Sequence, residues 1–545
     1  MRKNRKDIIR LIQTILEEHE HYWDDLRPEL DRYRKAYENK FWDENSFDKS
    51  MLRVETADCY SYIEGFQSSL FTKSPAVVVA PDEANVGGDN QLAQASANRF
   101  LFEQRTQLEI ASRLALIYPQ SFLKLSPKNS DDMLNKVEIR AVRPWEVIVD
   151  TDASSWETQR FVGHIYYLPL NEAKEKFGSK DWNPQPKDDY FSIQKRVLKA
   201  KDADLPEEYQ YIKIVELYDL SYDNLYVWTP NLTGDSQLIQ KTQVPLRTYD
   251  DQPLVPIAPL YYSRKPEKPL CGISAVSRVY DQFYEKNILR TYWANAIRRD
   301  SRQYLYKEGA LDEEALAKIT SGVDGAMIPV DEPSLAGVIQ QVGVEPISSN
   351  FDRYLAQIES DINRGTILAP FSRGETTGVT ATEISALAQY SASQLGKLAR
   401  ERDFAIERLA LIYLRSISLL ADEGEKASIM VEKKPRVVSS QDLDAKFKII
   451  ALDQASTPVS SEIAKQNLVN LAPLLQQLGV PTEKIKEELI RLFDLPETFL
   501  EAPQPPPEAS IPTEPPLPSG GPQTPPTGAN GAPSLQMLQA LTGGQ

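Results

Sequence analysis

The sequence has few of the cysteine and histidine side chains that bind metals and redox cofactors. Only two cysteines, Cys59 and Cys271, occur in 545 residues, and they form neither a CxxC pair nor the framework of a secreted disulfide protein. A single disulfide between them stays open, but a reducing compartment is the simpler interpretation. The three histidines, His19, His21 and His164, are a small supply for a histidine-ligated metal or for acid–base chemistry near neutral pH. We therefore expect no metal site and no cofactor.

Apolar runs long enough to cross a membrane are also absent. The longest runs include Pro75–Ala80 and Leu254–Tyr262, whereas a membrane-spanning helix needs roughly 18 apolar residues. The start of the chain, Met1–Lys6, is basic like that of a signal peptide, but charged residues interrupt the segment that follows it. Hydrophobic residues make up 41% and charged residues 26%, which is the balance of a soluble globular protein. The sequence thus predicts a protein that is made and kept in a cytoplasm, without a membrane partner.

An excess of positive charge, which proteins that grip nucleic acid usually show, is missing as well. The formal net charge is −16. Charge alone favours an acidic soluble protein that ignores nucleic acid. The alternative is a wall past which DNA slides without sticking, because an acidic surface repels phosphates over about 8 Å at physiological salt.

The sequence contains none of the common catalytic motifs. P-loop, GxGxxG, GxSxG and HExxH patterns do not occur. His19 and His21 are close in sequence, but on a helix their side chains would point about 200° apart, which disfavours a shared metal. Pairs of aspartates could hold Mg²⁺ or act as acid and base, yet they fall in predicted turns, where aspartate is common for backbone reasons. These pairs are Asp131–Asp132, Asp150 with Asp152, and Asp250–Asp251.

Hydrophobic periodicity predicts helices on both sides of a β region. A chain of 545 residues is expected to form roughly two to four compact units. Antiparallel hairpins are expected over 137–260, where segments such as Tyr211–Tyr218 alternate between apolar and polar residues. The other predicted helices are 7–40, 53–71, 91–118, 273–304, 312–320, 460–478 and 482–493, and the other predicted strands are 72–82, 326–330, 337–344, 427–438 and 446–452.

The strongest local signal is the start of a very long helix. Thr380 and Glu383 form a capping box, with threonine at the N-cap and glutamate at N3. The helix can run unbroken to about residue 421, a length of roughly 60 Å. A shorter helix with Asn350 as its N-cap is predicted before it, and the glycines and proline of 367–379 indicate an exposed loop between the two. The apolar stripe of the shorter helix consists of Phe351, Leu355, Ile358 and Ile362.

The end of the chain has a different composition. Thirteen of the 38 prolines lie within 496–533, mixed with glycine, serine and threonine. Such a segment buries too little apolar surface to fold. We therefore expect a flexible tail, whose last weakly apolar stretch, 535–541, can dock on a partner.

Two groups of basic residues are candidates for contact with phosphate. Arg298, Arg299 and Arg302 lie toward the end of the predicted helix 273–304. Each group could equally form a solvated face of a helix or strand. The aromatic residues interleaved with the first group favour packing over base stacking, since an intact duplex offers no exposed base faces. The second group is Lys433, Lys434 and Arg436.

Several short motifs follow one another in a defined order along the chain. They are Trp145–Asp150, Pro256–Leu260, Gly272–Ser274, Asp281 and Asn287 within the first long helix, and Gly378–Ile384 at the start of the second. In this order, and in the small insert and shorter helix between the two long helices, the chain resembles the portal proteins (head-to-tail connectors) of tailed bacteriophages, especially those of short-tailed phages. The resemblance covers about 50–500.

The resemblance implies an α+β, mainly α, portal fold, in which long helices are combined with small antiparallel sheets. The implied regions are a wing at 1–271, a first stem helix at 272–304, a clip at 305–348, a second stem helix at 349–366, a tunnel loop at 367–379, a long wing helix at 380–422, a wing β segment at 423–459, a crown at 460–500 and a disordered proline-rich tail at 501–545.

The resemblance also implies a function. Portal subunits form a closed ring of twelve at one vertex of the virion, the head–tail junction, after assembly in the cytoplasm of the bacterial host. Double-stranded DNA passes through the ring during packaging and ejection. The implied partners are the terminase large subunit, which hydrolyses ATP, the major capsid protein, the scaffold and the tail adaptor proteins. The family has no catalytic centre of its own, so we expect this chain not to be an enzyme.

Residues near the passing DNA follow from the same resemblance. The implied tunnel-loop residues are Phe371, Ser372, Arg373, Gly374, Glu375, Thr376, Thr377 and Gly378. Arg298, Arg299 and Arg302 are candidate DNA-facing residues of the stem, and Thr380 and Glu383 cap the helix that follows the loop.

Two other interpretations stay open. One is a different structural virion protein, such as a scaffold or a minor capsid component. The other is a Mg²⁺-dependent nuclease that uses Asp150 and Asp152. A closed ring with the mass of twelve subunits would exclude the first, and metal-dependent DNA cleavage would support the second.

Overall fold

The structure is a computed structural model, and it describes residues 4–42, 51–72, 74–81, 88–184, 210–300, 304–306, 309, 311–321, 339–341, 349–365, 381–422, 424–431 and 434–452. All of these residues belong to one unit, Met1–Asn467. Helices predominate over strands among them, and every described strand pair is antiparallel. The described chain is therefore a mixed helix-and-sheet fold with small antiparallel sheets.

The helices and strands have the following bounds. The helices are α1 (Arg5–Tyr37), α2 (Asp58–Leu70), α3 (Asn90–Glu103), α4 (Arg105–Ile117), α5 (Leu170–Phe177), α6 (Tyr280–Asp300), α7 (Glu313–Ser321), α8 (Ser349–Gly365), α9 (Ala381–Leu420) and α10 (Ser440–Leu443). The strands are β1 (Val77–Pro81), β2 (Ser121–Pro127), β3 (Val137–Val142), β4 (Val147–Val149), β5 (Phe161–Pro169), β6 (Tyr211–Asp219), β7 (Asn224–Trp228), β8 (Leu238–Thr242), β9 (Ile257–Leu260), β10 (Tyr304–Tyr306), β11 (Ile339–Gln341), β12 (Lys426–Val431), β13 (Lys434–Ser439) and β14 (Phe447–Ala451).

A five-stranded sheet in the order β4-β5-β6-β7-β8 forms one part of the unit. Successive side chains of a strand point to opposite faces, and β6 uses both faces. Val215 and Leu217 pack with Ile8 and Ile12 of α1 in one buried cluster. The opposite face of β6 carries Ile212 and Ile214, which pack with α5, and Glu216 and Tyr218. The predicted hairpins of 137–260 are thus confirmed, although α5 and β2 were not predicted.

Helix α1 joins this sheet to the main core. It begins at a capping box in which Asn4 is the N-cap and Asp7 is the N3 residue. Its first half covers the five-stranded sheet, and its second half places Trp23 and Tyr33 in a larger cluster that also contains residues of α2, α3, α4 and α9. The prediction of one helix over 7–40 is confirmed.

The long helix α9 forms the centre of the main core. It has 40 residues, so it is about 60 Å long. Ile412 and Ile417 are fully buried, and the ring of Tyr413 stacks on Phe100 of α3 at 4.1 Å between centroids. At its end, the Lys136 ammonium lies 3.2 Å from the carbonyl oxygen of Leu420, where a cation is favourable because helix C-termini carry partial negative charge. The predicted end near 421 is confirmed.

Three predicted helix boundaries are wrong. The helix expected from 53 begins at Asp58, and the one expected over 91–118 is divided into α3 and α4. At the division, the side chain of Gln104 accepts a hydrogen bond from the Ile139 amide of β3 at 3.2 Å. The shorter helix begins at Ser349, so Asn350 is inside α8 and is not its N-cap. The amides of Leu52, Val54 and Thr56 bond to side chains of α6, which keeps the residues before Asp58 out of a helix. Hydrophobic periodicity does not indicate such distant partners.

The first stem helix is also shorter than predicted, since α6 begins at Tyr280 rather than Ile273 and ends at Asp300, with Tyr304 in β10. Hydrogen bonds to residues at and just after the end of α4 explain the late start. The Gly272 amide donates to Gln120 Oε1 at 2.9 Å, the Ala275 amide to the Leu116 carbonyl at 3.0 Å, and the Ser274 hydroxyl to the Ile117 carbonyl at 2.6 Å. These bonds hold 272–275 outside the α-helix, and a 3-10 turn at Val276–Arg278 leads into α6.

The strands predicted in this half of the chain are confirmed in part. The segment 427–438 is divided into two strands that form the hairpin β12–β13, and 446–452 contains β14, which pairs with β1. Between the two stem-like helices lie α7 and the antiparallel pair β10–β11. Cys59 and Cys271 are both buried, and no disulfide joins them. The predicted elements at 326–330, 460–478 and 482–493 and the tail lie outside the described residues.

Gly272 gives a direct test of the packing beside α4. A Cβ atom added there would lie 1.6 Å from the Pro119 carbonyl oxygen, whereas one added at Gly396 in α9 would meet open space. We predict that Gly272→Ala lowers the free energy of unfolding by about 3 kcal/mol. Gly396→Ala should instead raise it by about 0.5–1 kcal/mol, because alanine loses less entropy in a helix. Urea denaturation followed by circular dichroism measures both, and an unchanged midpoint for Gly272→Ala would contradict the close approach.

Candidate functional site

The two stem-like helices α6 and α8 pack against each other and form the candidate site. The rings of Trp293 and Phe351 lie 5.6 Å apart between centroids. The Lys286 ammonium lies 3.3 Å from a carboxylate oxygen of Glu359 on α8 and 3.1 Å from one of Asp58 on α2. These contacts fix the helix pair to α2 and so to the main core.

An extended segment, residues 51–57, lies along α6 and is here called the strap. The Leu52 amide donates to Asn295 Oδ1 at 2.9 Å, and Asn295 Nδ2 donates back to the Leu52 carbonyl at 2.8 Å. Further along, the Val54 amide donates to Thr291 Oγ1 at 2.9 Å. In the last contact, the Thr56 amide donates to Asn287 Oδ1 at 2.9 Å. Alternate strap residues thus bond to side chains four residues apart on the helix.

The four-residue spacing on α6 matches the two-residue spacing on the strap because the two segments have nearly the same length. Four residues of α-helix rise about 6.0 Å, and two residues of extended chain span about 6.7 Å. The three side chains, which we call the polar ladder, are Asn287, Thr291 and Asn295 and are 0%, 0% and 5% exposed. These side chains supply the hydrogen-bond acceptors for the strap amides that a neighbouring strand would supply in a sheet. An unpaired buried amide is costly, so the ladder determines where the strap lies.

The polar ladder can be tested with two substitutions of one residue. Thr291→Val keeps the shape but leaves the Val54 amide without an acceptor, so we predict a loss of about 1–3 kcal/mol in the stability of the strap. The amide hydrogens of 52–56 should then exchange about tenfold faster or more, since ~1.4 kcal/mol corresponds to a factor of ten. Thr291→Ser keeps the hydroxyl and should change exchange much less. Equal exchange rates in the two variants would show that the methyl group, not the hydrogen bond, holds the strap.

The aromatic and apolar residues on the outer faces of α6 and α8 are unusually exposed. Tyr292 and Ile297 of α6 are both 52% exposed, and Tyr354 of α8 is 49% exposed, although its hydroxyl donates to Glu285. The opposite face of α6 is buried against the strap and α2. The helix pair therefore leaves partly apolar surface exposed in a single chain, with Tyr292 and Ile297 about 140° apart around α6.

Most of the predicted DNA-facing residues lie outside the described residues. This holds for the whole tunnel loop, Phe371–Gly378, for Thr380 and Arg302, and for the side chains of Arg299 and Glu383. Arg298 is half-buried near the end of α6. Helix α9 begins at Ala381, which agrees with the predicted start. The roles of the predicted DNA-facing residues stay predictions.

Asp150, the best candidate for metal-assisted catalysis in the sequence, forms an ion pair. It follows β4 and is 2% exposed, and its two carboxylate oxygens accept from Arg160 Nε at 2.6 Å and Nη2 at 2.7 Å. Hydrogen bonds from the Arg160 side chain outweigh burial and lower the pKa of Asp150. Asp152, 79% exposed, lies 3.2 Å from the same guanidinium. A cavity of about 670 Å³ lies beside this pair and α1.

The other acidic pairs occupy turns, as predicted. Asp132 accepts from the Leu134 amide of a short 3-10 turn and pairs with Arg99 at 3.0 Å. Asp251 has a positive φ of 59° in the turn after Tyr249, and Asp250 lies 3.0 Å from Lys446. Within the part of the chain that the structure describes, no group of three or more histidine, cysteine or acidic side chains is placed to hold a metal ion. No helix there has the length and apolarity that crossing a membrane requires.

His19 and His21 occupy different environments. His19 Nε2 lies 2.9 Å from the Trp145 carbonyl oxygen, and burial lowers the pKa of His19 to about 4. His21 is exposed and lies 3.2 Å from Asp25. The two rings do not share a site, in agreement with their spacing on α1.

A buried polar network, which sequence reasoning did not predict, lies between β2, β5 and β6. The Lys124 ammonium is 2.7 Å from Glu216 Oε2 and 2.9 Å from His164 Nδ1, and the Tyr166 hydroxyl donates to Glu216 Oε1 at 2.7 Å. Burial, with the charges of Lys124 and Arg140, lowers the pKa of His164 well below its usual value. Burial alone would raise the pKa of Glu216, but the charge and hydrogen bond of Lys124 lower it. The network keeps His164 neutral and Glu216 ionised.

Comparisons with known proteins find similarity among solved structures. No family model and no curated protein matches the sequence. Among solved structures, a chain described as "Virion of native gene transfer agent (GTA) particle" is similar over 86% of this chain and 94% of that chain. The sequence identity is 12% and the TM-score is 0.42. A similarity at this level assigns neither a family nor a function, so the function has to be inferred from the chain's own elements.

Substitution of Asp150 or Asp152 distinguishes an ion pair with Arg160 from a metal site. Asp150→Asn should lower the free energy of unfolding by about 1 kcal/mol, because its charge-assisted bonds to Arg160, which is 60% exposed, are weakened. Asp152→Asn should change it by less than about 0.5 kcal/mol. Since the pKa of Asp150 is lowered in the folded state, its stabilising effect should be present near neutral pH and disappear as the pH falls through that folded pKa. Mg²⁺-dependent DNA cleavage that Asp150→Asn abolishes without loss of stability would contradict this assignment.

Proposed function

We propose that the chain is the portal subunit of a tailed phage, a structural virion protein that forms a ring through which double-stranded DNA passes. The observation that carries the proposal is the order of elements after β9: α6, a small unit of α7 with β10–β11, α8 packed against α6, and then the 40-residue α9. A portal needs two adjacent helices for its channel wall, a small outer unit between them and a long helix behind the tunnel loop.

The dimensions of the helix pair suit a channel wall. Helix α6 has 21 residues and α8 has 17, which correspond to about 32 Å and 26 Å. The strap, α2 and Lys286 hold the pair to the core, so the wall would be rigid. The partly apolar surface of the pair is available for a neighbouring subunit. A closed ring requires two different complementary surfaces on each subunit, related by a rotation that closes.

The charge of the chain suits the same role. With a net charge of −16, the ring would repel phosphate and let DNA slide. In this proposal, residues 371–378 form the tunnel loop, and Arg298, Arg299 and Arg302 are the basic residues of the stem. The proposed partners are further copies of the chain, twelve in the ring, together with terminase, the capsid and scaffold proteins and the tail adaptor. The chain itself would catalyse no reaction.

The experiment measures the native mass of the purified chain and of an interface variant. The wild type should give a particle of about 740 kDa, twelve times the chain mass of 61.6 kDa. Tyr292→Asp combined with Ile297→Asp places a charge at each of two exposed positions of α6 and should reduce the mass to that of one or two chains, because buried unpaired charges are costly at an interface.

A matched control distinguishes the helix pair from any other exposed surface. Tyr222, 55% exposed at the β6–β7 turn, offers a similar exposed ring outside the helix pair, and Tyr222→Asp should leave the ring intact. A wild type that stays at one or two chains at high concentration would refute the portal proposal. A ring that survives the α6 double variant would refute the assignment of α6 to the subunit interface.

A further inference from the structure

A second surface lies at the far end of α9, where two cavities meet. One has a volume of about 550 Å³ and reaches the buried Lys124–Glu216 network, and the other has about 320 Å³ and lies beside Tyr249. Both are lined by Pro245, Leu246 and Leu419. They therefore form one elongated groove, which we call the α9-end groove.

The floor of the groove is apolar. Leu125, Pro127 and Pro256 line its larger part, and Pro245 and Leu246 line the junction of the two cavities. Leu419 stands at that junction and is 57% exposed. A leucine this exposed near the end of a helix offers apolar surface to a ligand, and burying such surface contributes about 25 cal/mol per Å².

The rim of the larger cavity carries surplus positive charge. Lys124 is paired with Glu216, but Arg140 and Lys176 are both exposed and form no ion pair with a described residue. Lys176 lies 5.9 Å from the ring centre of Tyr166. The charges of Lys124 and Arg140 lower the pKa of His164, and those of Lys124 and Lys176 lower the pKa of Glu216. Both shifts have the direction that a positive potential produces.

The arginines at the smaller cavity are paired, two against three aspartates, so this cavity adds no positive surplus. Arg247 pairs with Asp223 and Asp251, and Arg415 pairs with Asp444 and lies over the ring of Tyr249. The groove thus combines a positive end with an apolar middle, on a chain whose net charge is −16. This contrast with the rest of the surface is the complementarity that an acidic ligand would recognise.

We propose that the α9-end groove binds an acidic peptide segment of a partner protein, with its carboxylates over Arg140 and Lys176 and an apolar side chain on Leu419 and Leu246. The groove extends over two cavities, and an extended peptide, which advances about 3.3 Å per residue, can reach both parts. A small anion would use only the positive end and would leave the apolar floor uncovered. The proposal does not depend on ring formation, since every lining residue named belongs to one chain.

The test uses two fluorescein-labelled synthetic peptides and the full chain. One peptide has the sequence Glu-Glu-Leu-Asp-Glu-Leu-Glu-Asp, and the other replaces both leucines with serine. Fluorescence anisotropy should show saturable, salt-sensitive binding of the leucine peptide and at least tenfold weaker binding of the serine peptide. Leu419→Ala should weaken binding of the leucine peptide about threefold or more without affecting the fold, because the side chain is largely exposed.

Charge reversal with a matched control completes the test. Arg140→Glu with Lys176→Glu should weaken binding at least tenfold, whereas Lys426→Glu with Lys434→Glu, two exposed lysines of the β12–β13 hairpin outside the groove, should not. Absence of saturable binding, equal binding of the two peptides, or equal weakening by both double variants would overturn the proposal. A change of native mass in the Arg140/Lys176 variant alone would also overturn it, since the groove would then lie between copies of the chain.

Discussion

The polar ladder of α6 is the contact on which the position of the helix pair depends. The strap would have unpaired buried amides without it, and α6 has no continuous apolar stripe that could direct its packing instead. Asn287, Thr291 and Asn295 bond to alternate strap residues because four helical residues and two extended residues have nearly the same length. The strap leads directly into α2, which lies in the main core.

Other polar contacts join the strap and α6 to neighbouring parts of the chain. Trp42 donates from Nε1 to the Val54 carbonyl at 3.1 Å, which joins the strap to the region after α1. Lys286 connects α6 to both α2 and α8. The helix pair is therefore attached to the core through polar contacts at defined positions. Polar contacts require a specific geometry, whereas apolar packing tolerates small shifts of the packed elements. A channel wall would need a defined orientation.

The parts of the fold that were predictable are those governed by local patterns. Helix α1 follows from its apolar stripe, the start of α9 from the Thr380 and Glu383 pattern, and the hairpin β6–β7 from alternation. The late start of α6 arises where the chain bonds to a distant group, since the Gly272 amide donates to the Gln120 side chain 152 positions away. The division at Gln104 coincides with a side-chain contact to Ile139, 35 positions away. Contacts over such separations leave no periodic signal in the sequence.

The candidate site was less predictable than the fold. Asn287 drew attention only through a family resemblance, and its bond to the strap depends on a segment 231 positions away. The Lys124 network combines three strands, and the only hint in the sequence is a glutamate on the same face of β6 as Ile214. The tunnel loop residues and most of the stem arginines lie outside the described residues and stay predictions.

The most direct test of the account is a cryo-electron microscopy map of the purified full chain. The account predicts a closed ring with rotational symmetry, in which α6 and α8 line the narrow part of a central channel and the strap lies on the side of α6 away from that channel. A single-chain particle, an open filament, or a ring in which α6 and α8 face the outside would contradict it.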